Sequence, residues 1–225
     1  MRKLTSKEIV EFRSKSDRSK KSFVSALKID KKSDKAESGG DYWISCLSAI
    51  SSSFKQNNLN AIIDRKDELE EKHGEAEDKR TKTMYKRNID ILYNYEDFDF
   101  KKWRPTRKME FLKKNKADSI LTIKGLQVQA IPHHVFTYQK DEFEEVGAIW
   151  FIAKLNGFRK EELGIFADIL YRYLNTHFSK DYNLNPKFCI AVDVFNNYEV
   201  NYSQIQRKEV SMLLNSTLDE IKKLM

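Results

Sequence analysis

Apolar positions in the first half of the chain recur at helical spacing. Trp43, Leu47, Ile50 and Phe54 fall four, three and four residues apart, one face of an amphipathic helix. Asp41 is placed to cap that helix and Asn57-Asn58 to end it. Residues 59–72 continue helically, with Ile62, Ile63 and Leu69 inward, until the polar stretch from His73-Gly74 to Arg80. Residues 83–97 repeat the pattern through Tyr85, Ile89, Leu92 and Tyr93, and Arg104-Pro105 closes it, because a residue before proline avoids helical geometry.

Beyond Asp118 the period changes. Residues 120–124 are short and β-prone, Gly125 breaks them, and Leu126, Val128 and Ala130 alternate with Gln127 and Gln129. Extended chain resumes at Val135, Phe136 and Tyr138, beyond Pro132. The near-continuous apolar run 146–153 predicts a strand buried on both faces. Residues 160–178 then read as a helix and 188–195 as a second buried strand. Ser203 and Gln206 have the spacing of a capping box and predict a C-terminal helix over 203–225. The fold class is therefore α/β: a mixed central sheet of about four strands flanked by helices, with extra N-terminal helices.

At the N-terminus, Thr5 to Glu8 forms another capping box, but residues 14–22 are almost wholly polar and 31–40 end in Gly39-Gly40. Residues 1–40 are thus expected to be a flexible basic arm, and 41–225 a single α/β domain. Within that domain, 41–100 is the helical part, 118–202 the sheet-containing core and 203–225 the C-terminal helix.

Charge sharpens this division. The net charge is +7, and residues 1–35 alone hold twelve basic and five acidic side chains, so the remainder is neutral in sum. A second excess lies in residues 101–116, where Lys101, Lys102, Arg104, Arg107, Lys108, Lys113, Lys114 and Lys116 stand against Glu110, with Trp103 and Phe111 interleaved. Dense cations with aromatics suit phosphate contact and base stacking. The competing reading is a solvated face with Trp103 in the core. No apolar run approaches the length of a membrane span, and no apolar segment follows the N-terminal basic residues as a secretory signal would require. The two cysteines, Cys46 and Cys189, form no CxxC and suit a reduced, cytoplasmic setting.

From residue 83 to 202 the element order αβββαβ resembles that of the PD-(D/E)XK nuclease-like superfamily. Gly125 precedes the second strand, Ile131-Pro132 stands where the family has Pro-Asp, and 146–154 resembles the third strand, ending in Lys154. The resemblance implies metal ligands at the residue after Pro132 and two residues before Lys154. Here those positions hold His133 and Ile152, and only Lys154 matches. A Mg²⁺ site requires oxygen ligands. The chain thus resembles a degenerate, non-catalytic member, with no metal and no cofactor, of a kind the resemblance associates with DNA processing or phage defence.

Other chemistry is thinly represented. His133 and His134 are adjacent, so on a strand they would face opposite ways and share no metal. Asp168 and Asp193 are acids inside apolar segments, and Asp193 is retained with the two histidines as a weaker candidate. Neither GxSxG, GxxxxGK[ST] nor GxGxxG occurs. The leading expectation is a pseudo-nuclease contacting DNA or RNA through residues 101–116 and Lys154. The alternatives are a protein-interaction subunit of a larger assembly and a metal-dependent nuclease with other ligands.

Overall fold

A computed structural model describes residues 2–29, 42–113 and 119–225. Asp41, Gly39-Gly40, Lys114 and Lys116, which carry expectations above, lie outside the described residues.

The buried apolar runs form the central sheet. Strands β5 (His134–Lys140) and β6 (Phe143–Ile152) make an antiparallel hairpin around Asp141, whose φ is 54°. Helix α6 (Lys160–Phe178) crosses over to β7 (Asn183–Asp193), which pairs parallel with β6. Two short strands complete this sheet: β2 (Met109–Phe111) beside β5 and β8 (Tyr198–Asn201) beside β7, giving the order β2-β5-β6-β7-β8. Side chains alternate between two cores, as a period of two requires. Val146, Ala148 and Ile152 face one; Ile149, Phe151 and Ala153 face the other.

The second core is covered by α3 (Ile44–Gln56), α4 (Asn60–Glu75), α5 (Lys79–Tyr93) and the 3₁₀ turn Phe100–Trp103. Asn57, in the left-handed conformation at φ 56°, ends α3 as its sequence indicates. Helix α3 starts after Trp43 without a side-chain cap. Asp78 caps α5, which begins four residues before the expected start at 83, and the His73-Gly74 pair lies within α4.

The α/β class with a mixed, helix-flanked sheet is what the chain adopts, but the strands are distributed differently. The 120–129 hairpin, β3 (Ile120–Ile123) and β4 (Leu126–Gln129), does not join the central sheet. It turns at Lys124 and Gly125, with φ of 51° and 79°, and forms a separate three-stranded sheet with β1 (Leu4–Thr5), which runs parallel to β4. The expected C-terminal helix is two pieces. Asn201, not Ser203, caps α7 (Tyr202–Gln206), and α8 (Leu214–Lys223) follows a break at Lys208, φ 62°.

The largest difference lies at the N-terminus. Residues 2–29 are not an appendage. They form β1, α1 (Ser6–Arg13) and α2 (Asp17–Lys28), and bury Leu4, Ile9, Val10, Phe12, Val24 and Leu27 in the α6 core. The Thr5/Glu8 capping box opens α1 as expected. Several of the basic side chains serve the docking. Arg13 donates to Thr217 at 2.9 Å and Lys20 pairs with Glu220 at 2.7 Å, while Arg2 pairs with Glu8 inside the segment at 2.6 Å. Lys28 donates to the Met225 carbonyl. Apolar faces too thin to form a core alone are completed by α6 and α8. No helix among the described residues is long and apolar enough to cross a membrane.

Candidate functional site

One end of the central sheet gathers the candidate residues. The end of β2 lies beside the start of β5, since Leu112 N–H donates to the Val135 carbonyl. His133 N–H donates to Ile149 on β6, and Val194 N–H to Ile152. Lys113, His133, Ile152, Lys154 and Asp193 thus lie at the same end of the strands.

A cavity of about 290 Å³ opens here. Its walls come from Trp43 just before α3 and Leu47 within it, Ile131 and His133 before β5, Trp150 to Ile152 of β6 with Ala153 just beyond, Phe158, Phe166 of α6, and Thr5 to Lys7 with Gln129. Two of the three positions singled out by the nuclease resemblance, His133 and Ile152, line it. Lys154 stands beside it, its ammonium 5.2 Å from the centre of the Phe158 ring.

The donor set here does not fit a metal. Ile152 offers no oxygen, and His133 Nδ1 accepts the Phe151 N–H at 3.2 Å. Among the described residues, no three His, Cys, Asp or Glu side chains gather as a metal-holding group. His133 precedes β5, so strand alternation does not govern it. Contrary to expectation, both histidines pack against phenylalanines of the same core: His133 edge-on to Phe151 at 5.5 Å, and His134 stacked on Phe54 at 5.8 Å. His134 Nε2 is held by Ser51, 2.8 Å from its hydroxyl and 2.9 Å from its carbonyl, which makes it a structural link to α3.

Asp193 is fully buried at the end of β7 and accepts three hydrogen bonds: Phe158 N–H at 2.8 Å, Phe195 N–H at 3.0 Å and Asn196 Nδ2 at 2.9 Å. Burial pushes its carboxyl up while those donors pull it back. It ties the loop before α6 to the turn after β7, and so holds Phe158 in the cavity wall. Gly157, at φ 71°, must lack a side chain, because a Cβ there would collide with Asn196 and Asp193.

Glu162 was not anticipated from sequence, although Arg159-x-x-Glu162 carries the spacing of a capping box. Nearly buried, it accepts the Arg159 N–H at 2.9 Å and pairs with Lys154 at 3.4 Å and the Arg159 guanidinium at 3.3 Å. Burial alone would raise its carboxyl. The Arg159 amide and the two cations outweigh that and hold it below the usual carboxylate range. A depressed acid stabilises the fold above its unfolded value near 4.5 and loses that contribution as pH falls through the lower folded value. Glu162→Gln is therefore expected to flatten part of the acid limb of a melting-temperature profile between about pH 6 and pH 3. An unchanged limb would contradict this linkage. Glu8 and Glu145, also held low, keep the remainder of the limb.

The basic stretch divides. Arg104 is withdrawn from the phosphate-contact group: its guanidinium donates to the Phe54 carbonyl at the end of α3 and lies 5.4 Å from the Phe54 ring centre. Lys102 is 2.7 Å from Glu199. Lys101, Arg107, Lys108 and Lys113 are exposed, and the last three flank β2 at the sheet edge. Trp103 is buried, as the solvated-face reading expects. The thiols of Cys46 and Cys189 are free and buried, and burial pushes Cys46 up to about 12.

Compared with protein-family models, with curated proteins and with solved structures, the chain finds no match in any of the three.

Proposed function

We propose that this protein binds nucleic acid, DNA or RNA, along the β2 edge of its central sheet without hydrolysing it, as a pseudo-nuclease of PD-(D/E)XK-like architecture. One observation carries the reading: His133, Ile152 and Lys154 meet at one end of the sheet around an aromatic-lined cavity, with Lys113, just beyond the end of the edge strand β2, beside the start of β5. Leaving aside the β3-β4 hairpin, which is inserted between β2 and β5 and belongs to the other sheet, the order α5-β2-β5-β6-α6-β7 supports it, with β2 rather than the 120–124 strand in the first position. Arg107, Lys108 and Lys113 supply phosphate contacts. Buried free thiols suit a reducing, cytoplasmic setting.

Reversing Arg107, Lys108 and Lys113 together to Glu is the test. Fluorescence anisotropy with a labelled oligonucleotide at about 50 mM salt should show affinity falling tenfold or more, because phosphate neutralisation dominates such binding. The melting temperature should hold, since all three side chains are exposed. Unchanged affinity would contradict the proposal.

A protein partner is the second reading. It is favoured by Ile131, exposed at the cavity, and by exposed Ile44 and Leu155 close in sequence to its walls. Stable co-purification of one partner, with no oligonucleotide binding, would establish it in place of the first. Cleavage in Mg²⁺ or Mn²⁺ abolished by Lys154→Ala would instead mark an active nuclease with other ligands.

A further inference from the structure

The cavity is more specific than an apolar dent. Six rings, those of Trp43, His133, Trp150, Phe151, Phe158 and Phe166, stand around it. They come from the start of α3, where Trp43 stands as the cap residue, the approach to β5, strand β6, the loop before α6, and α6 itself. Two are braced against a third, Trp150 and Phe158 each meeting Phe166 edge-on at 5.4 and 5.6 Å. Asp193 fixes Phe158 from behind. A rigid aromatic lining of this kind is suited to the faces of a flat ring.

Size and charge narrow the occupant. At about 290 Å³ the space is at the small end of the roughly 300–1,000 Å³ usual for ligand pockets, which admits one ring system rather than an extended cofactor. The rim keeps a small cationic excess: Lys7 lines it with Glu11 3.9 Å away, and Lys154 and Arg159 share the single carboxylate of Glu162. A flat ring carried on an anionic tether matches both features. We infer that the cavity receives one unpaired nucleobase of a bound strand, with its phosphates toward Lys7 and Lys154. This inference rests on the nucleic-acid reading above and adds that single-stranded chain is the preferred ligand. A base displaced from its stack is held between aromatic side chains, and each such stack contributes about tenfold or more in affinity.

Tryptophan fluorescence reads the cavity directly, because two of the chain's three tryptophans line it and the third, Trp103, is buried elsewhere. A short single-stranded oligonucleotide should quench this emission, and the same backbone made abasic should not. Ala153→Leu fills the cavity from inside without altering charge. It should weaken anisotropy-detected binding of the intact strand about tenfold and leave that of the abasic strand unchanged. Quenching of the wild-type protein is an independent readout should the variant fold poorly. Binding by anisotropy with no quenching, or equal quenching by the abasic strand, would overturn the base pocket and leave the nucleic-acid reading standing. No binding of any strand at about 50 mM salt would overturn both.

Discussion

Removing residues 1–29 is expected to leave a chain that does not fold. The segment carries Leu4, Ile9, Val10, Phe12, Val24 and Leu27, all buried in the α6 core. Burial of a large apolar side chain stabilises by about 1.5–3 kcal/mol, so these six account for about 9–18 kcal/mol as an upper estimate. That matches or exceeds the roughly 5–15 kcal/mol by which a whole domain is stable. Truncation also strips β1 from β4 and uncovers α8, whose Glu220 and Thr217 hold Lys20 and Arg13. The milder variant Phe12→Ala should cost about 3–5 kcal/mol in denaturant unfolding. A soluble truncated protein with an unchanged melting temperature would restore the reading of this segment as an arm.

Asp193→Ala should have the next largest effect. The substitution leaves the buried Phe158 N–H, the part-buried Phe195 N–H and the amide of exposed Asn196 without their acceptor. An orphaned buried group costs about 1–3 kcal/mol and a solvated one less, which places the total at about 2–3 kcal/mol. Asp193→Asn keeps one acceptor oxygen and should fall between the alanine variant and the wild type. Because burial raises this carboxyl, its ionised form opposes folding. Its contribution is therefore largest at low pH and declines as pH rises through the folded value. The alanine variant should lose protection from proteolysis first near residues 155–159 and 195–197. Unfolding at wild-type denaturant concentrations would show that Asp193 holds nothing together.

How legible these features were depended on where the burial came from. Strand β6 and helix α6 are evident in sequence because apolar residues run almost unbroken over 146–153 in the first and are helically spaced over nineteen positions in the second. Strand β2 was hidden because it is three residues long, lies at an edge and sits among lysines, which is how edge strands avoid pairing with other chains. Residues 2–29 misled for a related reason. Their charges are visible, but the partners that bury the α1 residues Ile9 and Phe12 come from distant segments, including α6 and α8. The same holds for the cavity. His133, Ile152 and Lys154 were singled out individually, yet the aromatic walls join segments separated by more than a hundred residues. Asp193 was noticed as an acid in an apolar strand, and only the loops it fastens explain it.

The central claim is that the cationic edge binds nucleic acid and leaves it intact. The direct measurement is affinity for a labelled single strand as a function of salt, in Mg²⁺, with strand integrity checked at each point. If Arg107, Lys108 and Lys113 each neutralise one phosphate, the logarithm of affinity should fall linearly against the logarithm of salt, with a slope of about −2 for a single strand, steepening to about −3.5 if Lys7 and Lys154 add two more contacts, and with every strand intact. A salt-independent affinity, no binding at the lowest salt, or cleaved strands would contradict it.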